Sequence, residues 1–189
     1  AALALCWAVR AWPYRNDVTL TALPLRGGDA ICIEAPGTVD DLVIDGGDES
    51  AVQRVVTPFL RARGRNRLPS LVLTHGDIRH VGGAPLLARE FRVQRFITSQ
   101  VRFRSPAYRE AVEALTAGPP GPGIRHPASG LPGPGGTPRR RREHVKLTRG
   151  DRFGAWRVLH PDGSDRFPRA DDAALVLLGE FHGVRVLLC

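Results

Sequence analysis

Residues 71–83, LVLTHGDIRHVGG, constrain this chain more than any other stretch. Leu71, Val72 and Leu73 make an uninterrupted apolar run, the mark of a strand covered on both faces. Such a strand needs a layer above and a layer below, so the chain must build a sheet with cover on each side. The run breaks directly into His75, Asp77 and His80. Gly76, Gly82 and Gly83 let the backbone bend enough for a tight loop to turn those three side chains inward. Imidazole and carboxylate are ligands that zinc and related ions accept, and an open position on such an ion holds a water whose pKa falls to about 7. Two histidines and an aspartate can also simply cap a helix, so the bare triple supports either reading.

The flanks supply the layers. Segments 18–23, 30–34 and 42–45 read as three short strands joined by Gly27-Gly28-Asp29 and Pro36-Gly37 turns, an antiparallel meander. A helix over 50–62 follows, with Ser50 as its cap, Val52, Val55, Val56, Phe59 and Leu60 on one face, and Pro58 predicting a kink. Arg61, Arg63, Arg65 and Arg67 surround Gly64 and read as a solvated helix end. After the buried strand at 71–74 come a helix at 84–91, a strand at 93–98 and a helix at 106–117, with Ser105 as cap and Pro106 at its first position. Strand, loop, helix, strand is an α/β pattern. Strands near 144–148, 155–160, 173–179 and 184–188 close the chain.

Residues 118–142 differ in kind, with seven glycines and seven prolines in 25 positions and a run Arg139 to Arg142 at the end. They read as a flexible insertion and a basic tether, which could also touch phosphate or anionic lipid. The net charge is +8, and every basic residue except Lys146 is arginine. Codon usage explains that bias as readily as nucleic-acid binding does. Cys6, Cys32 and Cys189 are too scattered for a zinc ribbon or a disulfide framework, and Cys32 reads as a core residue. Residues 1–16 are apolar with an aromatic, basic edge (Arg10, Trp12, Tyr14, Arg15). They fit equally a buried segment and the end of a membrane helix of a longer protein. Starting at Ala1 without any methionine, the sequence reads as a piece of that longer chain.

T-H-x-D-x-x-H-x-G-G after a buried strand, some thirty residues beyond Ile44-Asp45-Gly46-Gly47, resembles the metallo-β-lactamase superfamily. Within it, the sequence is most similar to the C-terminal domain of ComEC-type competence DNA-uptake channels. Leu23-Pro24-Leu25-Arg26-Gly27-Gly28-Asp29-Ala30 stands where that family has its opening strand, and Leu159-His160-Pro161 matches a later one. The resemblance implies an αββα sandwich, of which 17–189 holds the N-terminal and middle parts. It implies metal ligands at His75, Asp77 and His80, with His160 as a further candidate and Asp45 steadying the loop from behind. Zinc or manganese would be the cofactor and DNA the polymer acted on, through phosphodiester hydrolysis by a metal-activated water. A small-molecule substrate fits less well. The parent protein would sit in a bacterial inner membrane.

Arg79 is the main departure. The family carries a second aspartate there, a ligand of the second metal, and a guanidinium offers no lone pair. A unit charge at about 4 Å from a dication costs roughly 8 kcal/mol at an effective dielectric of about 20. Either Arg79 points away, toward Asp45 or Asp77, or the second metal is absent, and at most one ion is expected. The family's bridging aspartate would fall just past Cys189. Two other readings stay open: a catalytically degenerate docking domain, and a stand-alone hydrolase of the same fold.

Overall fold

The computed structural model describes residues 17–36, 40–117, 142–167, 169 and 171–189. The apolar segment 1–16 and insertion residues 118–141 lie outside the described residues, as does Cys6. A six-stranded sheet runs in the order β1 (Thr19–Ala22), β2 (Ile31–Glu34), β3 (Leu42–Ile44), β4 (Arg67–Leu73), β5 (Arg92–Ser99), β6 (Glu143–Leu147). The first three pair antiparallel, as the meander predicts, and β3 through β6 are parallel. A four-stranded antiparallel sheet holds β7 (Arg152–Phe153), β8 (Trp156–His160), β9 (Val176–Phe181) and β10 (Val184–Leu188).

Period-two alternation gives the large sheet two apolar faces. Cys32, Val43, Leu71, Leu73 and Phe96 pack under the helices, while Ile33, Leu42, Ile44, Val72 and Ile97 meet Trp156, Val158 and Leu177 of the second sheet. The strand that looked buried on both sides is so: Leu71, Val72 and Leu73 have no solvent exposure. Cys32 is a core residue, and burial pushes its thiol up to about 12. Among the described residues every α-helix packs on the first face. None of them is long and apolar enough to cross a membrane.

The helices are α1 (49–62), α2 (Ile78–Val81), α3 (Ala84–Glu90) and α4 (Pro106–Ala117). Asp48 caps α1, its carboxylate accepting from the Ala51 N–H, two residues earlier than a Ser50 cap implies. The disturbance expected at Pro58 takes the form of a π-helical stretch, Val52–Val56, where the Thr57 N–H reaches back five residues to the Val52 carbonyl. Proline has no N–H to give, and a widened turn just before it is one way a helix absorbs that loss. Strand β4 begins at Arg67, within the arginine cluster assigned to a solvated helix end. Arg63 and Arg65 are also anchored, both to Glu34 (3.1 and 3.0 Å) and Arg65 to Asp41 (3.1 Å).

Arg142 corrects the reading of the basic run most sharply. It is buried, and its guanidinium donates to the carbonyls of Ala88 (2.7 Å), Ala114 (3.1 Å) and Leu115 (3.2 Å) near the C-terminal ends of α3 and α4. Those are carbonyls that helix ends leave without intrahelical partners.

Candidate metal centre

Parallel neighbours β3 and β4 end side by side, Ile44 opposite Val72, so the loops leaving their C-terminal ends meet. In parallel sheets that edge is where sites are built. The loops are joined through the backbone, Gly46 N–H to His80 O (3.1 Å) and Gly83 N–H to Gly47 O (2.9 Å). A third loop closes in from β1–β2: a Cβ on Gly28 would lie 1.7 Å from the Arg79 carbonyl oxygen, and its φ is +69°. Only glycine satisfies both constraints.

Asp45 takes the left-handed conformation, φ 54°, which costs a non-glycine residue of order 1 kcal/mol and clusters at functional sites. The turn directs its carboxylate at Thr74. Oδ1 accepts from the Thr74 N–H (2.8 Å), and Oδ2 accepts from the Thr74 hydroxyl and from His80 Nδ1 (3.3 Å). Because the Thr74 hydroxyl proton goes to Asp45, Thr74 Oγ1 must accept from His75 Nδ1 at 3.0 Å. Both imidazoles therefore carry their proton on Nδ1, which makes Nε2 the nitrogen of each ring suited to an ion. The rings stack at 4.3 Å with 22° between planes.

One ligand atom from each of Asp45, His75 and His80 lies within 4.8 Å of the others. Donor atoms on one zinc ion, bonded at about 2.0–2.2 Å, can be no more than about 4.4 Å apart. Two imidazoles, each with Nε2 unprotonated, and a carboxylate hydrogen-bonded behind one of them are nonetheless a donor set that suits a borderline divalent cation. An Nδ1–H held by a carboxylate is also the usual support of a metal-binding imidazole.

The other sequence candidates sit differently. Asp77 caps α2, its Oδ1 accepting from Arg79 N (2.8 Å) and Arg79 Nε (3.0 Å). The arginine beside it holds its carboxyl below the usual carboxylate range. Arg79 thus turns to Asp77, one of the two partners anticipated for it. His160 is outside the converging three; its Nε2–H donates to the Asp172 carbonyl (2.7 Å) and its ring meets Phe167 edge-on. His182 is exposed in a hairpin turn. Sequence reasoning gave Thr74 no role, although its place between a buried strand and the first histidine was the available signal.

The metallo-beta-lactamase superfamily profile matches residues 24–167. The chain belongs to that superfamily. ComE operon protein 3 of Bacillus subtilis (strain 168) is 28% identical over 102 residues, which covers 46% of this chain and 13% of the relative. A putative metallo-beta-lactamase from Thermotoga maritima superposes with a TM-score of 0.55 at 13% identity, covering 92% of this chain and 76% of that one. A motif mutant of a metallo-beta-lactamase from Cronobacter sakazakii gives 0.54 at 15% identity, covering 90% and 60%. The superfamily member described here thus spans only a small part of its curated relative's length, and the solved structures establish its fold alone.

Two histidines of this domain should titrate on opposite sides of the ordinary imidazole value in the metal-free protein. The hydrogen bond that His80 donates to Asp45 raises its pKa above the ordinary imidazole value, outweighing burial. Burial first, and Lys146 second, lower His144, which stacks on Phe96 and meets Thr98. A raised histidine contributes stability that is complete below the unfolded value near 6.5 and is lost as pH rises through the folded one. A lowered one contributes above 6.5, and that part is lost as pH falls. Imidazole proton resonances followed by NMR from pH 5 to 9 should show His144 losing its proton first. The reverse order would mean that the Asp45–His80 contact does not persist in solution.

Proposed function

We propose that this domain is a metal-dependent hydrolase module of a competence DNA-uptake protein, cleaving phosphodiesters of DNA around a single zinc or manganese ion. The observation that supports it best is the relay Asp45–Thr74–His75 with Asp45–His80, which fixes both imidazoles with Nε2 as the ligand atom. His75 and His80 would hold the ion through Nε2, with Asp45 orienting both rings from the Nδ1 side. When bound, the ion supplies Lewis-acid polarisation of a phosphoryl oxygen. The local likeness to ComE operon protein 3 supports the DNA-uptake setting and attachment to a membrane through the parent protein. Arg79 favours the second reading, a docking domain that keeps the fold and has lost the chemistry.

Metal content by mass spectrometry and cleavage of an end-labelled DNA strand separate the two. The hydrolase reading expects about one ion per chain, falling at least tenfold in occupancy in His80→Gln, with cleavage lost in parallel. Absence of metal from the wild type after incubation with zinc or manganese would favour the docking domain.

A further inference from the structure

At the opposite end of the parallel strands, the layer between the two sheets changes character. Register sets Leu42, Ser70 and Arg95 side by side, and alternation puts Ser70 and Arg95 on the same face as Val72 and Ile97. That face meets the second sheet. An arginine there is out of keeping with its apolar neighbours, and it stands on the wall of a cavity of about 200 Å³. The apolar wall is Val18, Ile33, Leu42, Phe153, Trp156 and Phe181, with Pro36 and the exposed Asp40 also on the lining. An apolar cavity of about 150 Å³ is enough to take up benzene.

The polar groups of this cavity are incompletely matched. Arg95 Nε and Nη2 both donate to Ser70 Oγ, at 3.1 and 2.8 Å. A guanidinium has five N–H donors, so three remain, and among the described residues no carboxylate lies within 4 Å of it. Ser70 is buried, and with its oxygen accepting twice, its hydroxyl proton is left to give; no acceptor for it stands among the described residues. Glu143 is the register partner of Arg95 on β6 but is exposed and makes no ion pair with it. A half-buried cation with donors to spare, next to a buried hydroxyl donor, therefore matches one bidentate carboxylate. The aromatic and aliphatic wall matches an apolar body.

We infer that this cavity is a binding site for a small apolar monocarboxylate, an aromatic or short-chain aliphatic acid whose carboxylate meets Arg95 and Ser70. The site is separate from the histidine cluster and does not depend on the domain's being a hydrolase. Asp40 does not invert the preference, because it is exposed and solvated whereas Arg95 is half-buried.

Benzoate and benzyl alcohol have nearly the same shape and differ in charge. Titrating each into the 189-residue chain, with amide NMR shifts at Val18, Ile33 and Phe181 and Trp156 fluorescence as readouts, tests the inference. Benzoate should saturate at least tenfold more tightly than benzyl alcohol, and hexanoate should likewise exceed 1-hexanol. Arg95→Met should remove that difference and leave the alcohol's binding unchanged. Equal affinity for acid and alcohol on the wild type would overturn the inference whether or not the variant folds. So would shifts confined to other residues, or no saturation by either compound at about 10 mM.

Discussion

Arg79→Asp should raise the metal affinity of the histidine cluster by about 100-fold and move the stoichiometry from at most one ion toward two. The substitution changes two things together. It removes a guanidinium that is bonded to Asp77, so the Asp77 carboxylate no longer has a cation to neutralise. It also replaces a positive charge near the site by a negative one. The charge changes by two units beside a dication, four unit pairs in all. At this solvent-exposed position screening leaves under about 1 kcal/mol of each, about 3 kcal/mol in total or two decades in affinity. The backbone should not respond, because the contact that fits Gly28 here is with the main-chain carbonyl of residue 79. Metal content of wild type and variant, measured after equilibration with graded zinc or manganese, reads the effect directly. Two ions in the wild type would show that the guanidinium swings clear. No ion in either protein would move the whole domain to the docking reading.

How much of this site the sequence disclosed depends on distance along the chain. Helix α4 could be placed to the residue because its signals are local: Pro106 at the first turn, and Ser105 accepting from the Tyr108 N–H. The second bond of Ser105, from its hydroxyl to the Gly76 carbonyl in the histidine loop, spans 29 residues and has no local signature. Strand β4 was seen only in its apolar half, because Arg67 and Pro69 look like loop and proline cannot donate to a ladder. Arg67 nonetheless pairs in register with Arg92 of β5, a parallel partner that no short-range pattern announces. The same holds for the centre. The spacing of His75 and His80 was legible, and Asp45 could be placed behind them, but the relay through Thr74 arises only when β3 and β4 lie side by side. Asp77 shows the reverse case: chemically suited to bind metal, it is held by a residue two positions on.

Arg142→Met should cost about 3 kcal/mol of stability, the largest effect expected from any single change outside the centre. The side chains are similar in length, so packing is largely kept and the loss isolates the guanidinium. Three carbonyls, on Ala88, Ala114 and Leu115, would lose their donor. Each net bond from a charged donor is worth about 1.5–3 kcal/mol, and the cost of burying the cation offsets part of the sum. Burial lowers the guanidinium's own ordinary value, which is that cost seen from the other side. In a chain of this size 3 kcal/mol corresponds to a fall of roughly 6–12 °C in Tm. The control is removal of residues 118–141 with a short glycine-serine bridge, since their composition offers little apolar surface to bury. Arg142 already reaches the end of α4, so its Ala114 and Leu115 contacts bring the two cut ends together. Thermal melts followed by circular dichroism should show the deletion within about 1 kcal/mol of wild type and the methionine variant well below both. A methionine variant melting within 2 °C of wild type would mean that water, not Arg142, satisfies those helix ends.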